Sequence, residues 1–214
     1  MWSARFVNNI RRSVIGYQSV LQGPHIPIKE ATWEFVLQQA AQKSRMKCEW
    51  TPGSHKPGAD ITISRKRYSC KTSRIAPNSD NVLISSYRLT KTVHGARGPQ
   101  KFIDEIDNIR GNFDFYALLV REQSPSTDMI SRYSVYQIPA ARLKAASLKW
   151  DKEPNGNWIG VGPDYIMKIQ KSMSYQLWMT VPLDYIEEDC VTEITINDTI
   201  RPINLTDIYN ILYK

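Results

Sequence analysis

At 214 residues, 42% apolar and 23% charged, the chain has the composition of a folded protein with a full hydrophobic core, which excludes disordered and fibrous classes. No apolar run approaches the roughly 18 to 20 residues of a membrane-spanning helix, Met1 to Leu21 lacks the unbroken apolar segment of a signal peptide, and Cys48, Cys70 and Cys190 lack the C-x-x-C spacing of a zinc site or disulfide framework; a cytoplasmic protein with reduced thiols is expected. The net charge of +7 is uneven, because residues 1–100 carry 16 Lys and Arg against 5 Asp and Glu while residues 101–214 carry 12 against 16. A basic first half points to an anionic partner, nucleic acid foremost, with a solvated basic face as the alternative.

Residues 2–21 place Phe6, Val7, Ile10, Val14, Ile15 and Leu21 on one helical stripe, and Gly23-Pro24-His25-Ile26-Pro27 ends that helix. A second helix is expected from about Lys29 to Lys43, with Trp33, Val36, Leu37, Ala40 and Ala41 on its buried side and Glu30 and Glu34 four apart on another face. Met46 to Trp50 reads as a short strand, followed by a turn at Thr51-Pro52-Gly53-Ser54. Ala59 to Ser64 and Tyr68 to Arg74 then form a hairpin around a basic turn, Arg65-Lys66-Arg67. Alternation sets Asp60 with Thr62 and Ser64, and Ser69 with Lys71 and Ser73, so a carboxylate and an ammonium share one side while Ile61 and Ile63 anchor the other.

Asn81 to Thr90 reads as a third strand of the same sheet, and residues 91–98 as a basic, glycine-bearing loop. Pro99 to Gly111 is helical, Phe113 to Arg121 is a strand buried on both faces, and Ser131 to Ile138 is another strand. A short helix over Pro139 to Leu148, strands at Trp158–Val161, Ile166–Ile169 and Tyr175–Val181, and a closing helix at Asp207 to Lys214 complete the pattern. The expected fold is mixed α/β, of α+β type, a single domain over residues 1–214 around one central mixed sheet flanked by helices. Its core would span about 29–123, with an N-terminal helix over 1–22 and a strand-rich extension over 124–214 for dimerisation or DNA contacts.

Asp60 and Lys71 supply one acid and one base, but Ser69 stands two residues before Lys71 where a second acid would serve a metal site. Glu34 is the best substitute, with Glu30 one turn away. Pro57-Gly58-Ala59-Asp60, eight residues, then Ser69-Cys70-Lys71 resembles the PD-(D/E)xK nuclease motif, in the variant where serine replaces the acid and a helix-borne glutamate compensates. Ile84 to Leu89 is similar to segments of type II restriction endonucleases, and the resemblance covers residues 29 to 98.

The resemblance implies a restriction-endonuclease-like core and a restriction-modification enzyme, a homodimer that cleaves double-stranded DNA with Mg²⁺. Glu34 and Asp60 would ligate the ion, with the Cys70 carbonyl completing its shell. Lys71 would orient or polarise the attacking water, and Ser69 would hold a water or support Glu34. The Cys70 thiol is expected in the core. DNA contacts are expected from Arg74, Arg88, Lys91, His94 and Arg97, and from Arg45, Met46 and Lys47. There Met46 is either a wedge between cations or a buried residue behind a helix C-terminus. A junction-resolving or repair nuclease of the same superfamily and a non-catalytic DNA-binding protein are the alternatives.

Overall fold

Phe6, Ile10 and Val14 recur at helical spacing and are fully buried, as are Trp33, Val36, Leu37, Ala40 and Ala41 of the next helix. These stripes hold α1 (Ala4–Val20) and α2 (Glu30–Lys43) together on one face of a sheet. Each of the larger aliphatic and Phe side chains among them contributes about 1.5–3 kcal/mol on burial. The computed structural model describes residues 2–20, 27–50, 58–75, 79–92, 98–122 and 130–197. The expected closing helix, the turn at 51–54, and His94 and Arg97 lie outside them.

The sheet under α1 and α2 has six strands in the order β1 (Cys48–Trp50), β2 (Ile61–Ile63), β3 (Lys66–Arg74), β5 (Phe115–Glu122), β6 (Ile130–Pro139) and β11 (Cys190–Asn197). Among the described residues only β3 and β5 run parallel, so the sheet is mixed. β5 is buried on both faces as its apolar run predicts. Ala117 and Leu119 face α1 and α2, while Tyr116, Leu118 and Val120 join a second core.

That second core includes α3 (Gln100–Arg110), packed through Phe102, Ile103, Ile106 and Ile109, and the inner face of a five-stranded antiparallel sheet. The strand order there is β4 (Asn81–Arg88), β10 (Gln176–Pro182), β9 (Ile166–Gln170), β8 (Trp158–Val161) and β7 (Lys149–Lys152). The short α4 (Leu183–Ile186) leads on toward β11. The fold is therefore α+β, with two sheets where the sequence suggested one.

Three differences from the sequence reading have physical causes. β4 belongs to the second sheet: alternation buries Val82 and Ile84, but it does not say which strand pairs with them, and β10 does. The hairpin turn is Ser64-Arg65, both with positive φ, and Lys66 already pairs with Ile63. Residues 140–142 and 145–147 form separate 3₁₀ turns instead of one helix. Among the described residues no helix is long and apolar enough to cross a membrane.

Candidate metal centre

Trp33 sets the orientation of α2, because its buried indole donates to the Ala117 carbonyl of β5 at 2.8 Å. With that ring pinned, Glu30 and Glu34 reach the edge of β3 from the first turns of the helix. A carboxylate at Glu30 is also favoured by the helix dipole. On the sheet side, the β2–β3 ladder ends with Asp60 N–H donating to Tyr68 O at 2.8 Å. Gly58, at φ +128, turns the chain just before Asp60, and a Cβ there would stand 3.0 Å from that of Asn112.

Past the ladder's end the edge of β3 is open, and side chains replace the missing strand. Asp60 Oδ2 accepts from Cys70 N–H at 2.6 Å and from the Ser69 hydroxyl at 3.2 Å. Lys71 Nζ donates to Cys70 O at 2.6 Å and to Glu30 Oε1 at 2.8 Å, and lies 3.7 Å from Asp60 Oδ2. Glu34 Oε2 accepts from the Trp50 indole N–H at 3.0 Å. One carboxylate oxygen from each of Glu30, Glu34 and Asp60 falls within a 4.8 Å span.

Burial pulls the Lys71 ammonium down, but Asp60 and Glu30 outweigh it and hold its pKa above the ordinary value. Burial raises the Glu34 carboxyl, as do Asp60 and Glu30, against the Trp50 hydrogen bond and Lys71, which lower it. The Cys70 thiol is fully enclosed in the core, and burial, followed by Asp60, pushes it well above its usual range, so it is inert packing.

The geometry brings Glu34, Asp60, Ser69, Cys70 and Lys71 together, includes the alternative acid Glu30, and adds Trp50. Glu30, which i,i+4 spacing puts beside Glu34, is the closest carboxylate to Lys71. Trp50 gave no signal of its own, since an aromatic at a strand end reads as core. Ser69 supports Asp60, not Glu34, because it sits opposite Asp60 across the hairpin. No family model, curated protein or solved structure matches this chain.

The expected DNA contacts are dispersed. Met46 corrects the wedge reading. Its N–H bonds Ala41 O while Arg45 N–H bonds Gln42 O, a Schellman ending of α2 whose apolar contact is Met46 packed on the first core. Arg45 is exposed beside it, and Lys47 pairs with Glu49 at 3.0 Å. Arg74 is exposed at the end of β3, three residues past Lys71. Arg88, which donates to Gln176 Oε1 at 3.2 Å, and exposed Lys91 project from the second sheet's layer. A cleft of about 630 Å³ opens between Trp2, Val7 and Val191, and none of the site carboxylates lines it. The carboxylates lie instead beside the part of β3 that β2 leaves unpaired.

Proposed function

We propose that this chain is a Mg²⁺-dependent nuclease that hydrolyses phosphodiester bonds of double-stranded DNA, a homodimer in the manner of type II restriction endonucleases. The observation that carries the reading is one of charge. Among the described residues the three clustered carboxylates have one ammonium beside them, that of Lys71, so the ionised cluster is short of two positive charges there. One divalent cation makes up that deficit, and an all-oxygen donor set of Glu34, Asp60 and the Cys70 carbonyl suits a hard ion. When bound, such an ion polarises the phosphate and lowers the pKa of a coordinated water.

The remaining roles belong to the chain. Asp60 and Glu30 keep Lys71 protonated, so it acts as a donor to a phosphate oxygen or to the attacking water and not as a general base. Glu30 fixes the direction of that donor. The excess of cations in residues 1–100 supports a polyanionic substrate.

Incubation with plasmid tests the reading. Discrete fragments are expected with Mg²⁺ and none with EDTA, and Asp60→Ala or Lys71→Ala abolishes them. Plasmid that stays intact while its gel mobility shifts would make the protein a DNA binder only. Preference for branched substrates would make it a junction-resolving enzyme.

A further inference from the structure

Two arginines occupy backbone positions that glycine or asparagine fills at least cost. Arg45 closes α2 at φ +60, and Arg65 is the second residue of the hairpin turn at φ +69, after Ser64 at φ +48. A turn of this I′ type favours Asn-Gly, and a Schellman ending favours Gly. A bulky side chain at positive φ is strained, and such strain persists where a function requires it.

A backbone hydrogen bond links the hairpin turn to the residue that follows the ending of α2. Ser64 N–H donates to Lys47 O at 2.8 Å, so Arg45 is two residues from one end of that bond and Arg65 one residue from the other. Around them Lys47, Lys66 and Arg67 are exposed. Lys47 pairs with Glu49 and Arg67 with Asp114, but among the described residues Arg45 and Arg65 have no carboxylate within ion-pair distance. The result is a cationic ridge made of two turns, kept at some cost to the backbone.

We infer that this ridge grips the phosphate backbone of duplex DNA, with Arg45 and Arg65 as its principal contacts; the inference rests on the nuclease reading above. Spacing favours a duplex over a free anion. From Asp60 to the start of the turn at Ser64 is four residues of extended chain, about 13 Å at ~3.3 Å each, the axial rise of about four base pairs. A duplex with one phosphate at Lys71 therefore reaches the ridge within half a helical turn.

The strain supplies a test in which stability and binding move in opposite directions. Arg45→Gly, Arg65→Gly and the double variant are compared with wild type by thermal unfolding and by fluorescence anisotropy of a labelled 30-base-pair duplex in EDTA. Melting temperatures equal to or above wild type are expected, with duplex affinity falling about tenfold or more in the double variant. The slope of log affinity against log salt becomes shallower by about 2, roughly one per guanidinium lost. The Arg45→Asn/Arg65→Asn pair, which also tolerates positive φ, repeats the measurement should the glycines loosen the turns. A folded double variant that keeps wild-type affinity and slope overturns the ridge, even if wild type cleaves DNA. Wild type that binds no duplex at all overturns both the ridge and the nuclease reading.

Discussion

Lys71 Nζ lies 2.8 Å from Glu30 Oε1 but 3.7 Å from Asp60 Oδ2, so of these two carboxylates the one on the helix holds the buried ammonium more closely than the one preceding β2. Replacing it with methionine keeps the stem's bulk and leaves Glu30 and Asp60 facing each other without a cation. Lys71→Met is expected to lower cleavage about 10²- to 10⁴-fold and to cost about 1–3 kcal/mol of stability. Because a divalent ion restores the missing charge, Mg²⁺ should return more stability to Lys71→Met than it adds to wild type. Calorimetric unfolding with and without Mg²⁺ measures the difference, and equal gains would refute the account.

The Trp50 indole N–H engages Glu34 Oε2, and among the described residues the other oxygen accepts no hydrogen bond. Trp50→Phe removes this donor while keeping an aromatic ring against Phe35. Metal affinity measured by titration calorimetry should fall about 10- to 100-fold, the usual effect of losing a partner that orients a ligand. An unchanged affinity would mean that Glu34 holds its place without help.

Glu34 gives two pH dependences of opposite sign. Its folded pKa is raised by burial and then by Asp60 and Glu30, so the folded state binds the proton more tightly than the unfolded chain, whose value is near 4.5. In the metal-free protein this contribution to stability grows as pH falls through the raised value, is complete below 4.5, and is lost as pH rises. Metal binding must expel the same proton, so Mg²⁺ affinity falls over that interval. Unfolding scans of wild type against Glu34→Gln should converge on acidification. Divergence would place the titrating group elsewhere.

Asp114 joins the starts of β3 and β5. Its Oδ2 accepts from Arg67 N–H at 2.8 Å, and its own N–H donates to Arg67 O at 2.9 Å. The backbone bond from Arg67 holds its carboxyl below the ordinary 3.8, against a smaller opposing effect of burial. The stability it adds is present above pH 3.8 and disappears as pH falls through the depressed value. Asp114→Ala should cost on the order of 1 kcal/mol at neutral pH and nothing measurable in strong acid. A deficit persisting below that pH would point to lost packing.

What could be read from residue order was periodicity. The stripe Trp33, Val36, Leu37, Ala40 and Ala41 is buried to the last residue, and alternation brought Asp60 and Lys71 into one site. Partner choice could not be read that way. Val82 and Ile84 declare a buried face equally well in either sheet, so the placement of β4 waited on β10. Glu193 to Ile196 alternates as β11 requires, yet a strand that returns to the first sheet after four strands elsewhere leaves no local trace. Glu30 and Glu34 lie on one helix face, and only the docking of Trp33 on Ala117 decides that Lys71 meets Glu30.

The order in which strands enter the two sheets has a consequence for dissection. The chain leaves the first sheet after β3, returns for β5 and β6, departs for β7 to β10 and comes back for β11. A single backbone cut between β6 and β7 yields two pieces that each own strands in both sheets, stitched by β4 against β10 and β6 against β11. Nicked protein should therefore migrate as one particle under native conditions and as two bands once denatured. A fragment ending near residue 123 would expose Val82 and Ile84 on a strand stripped of its neighbour.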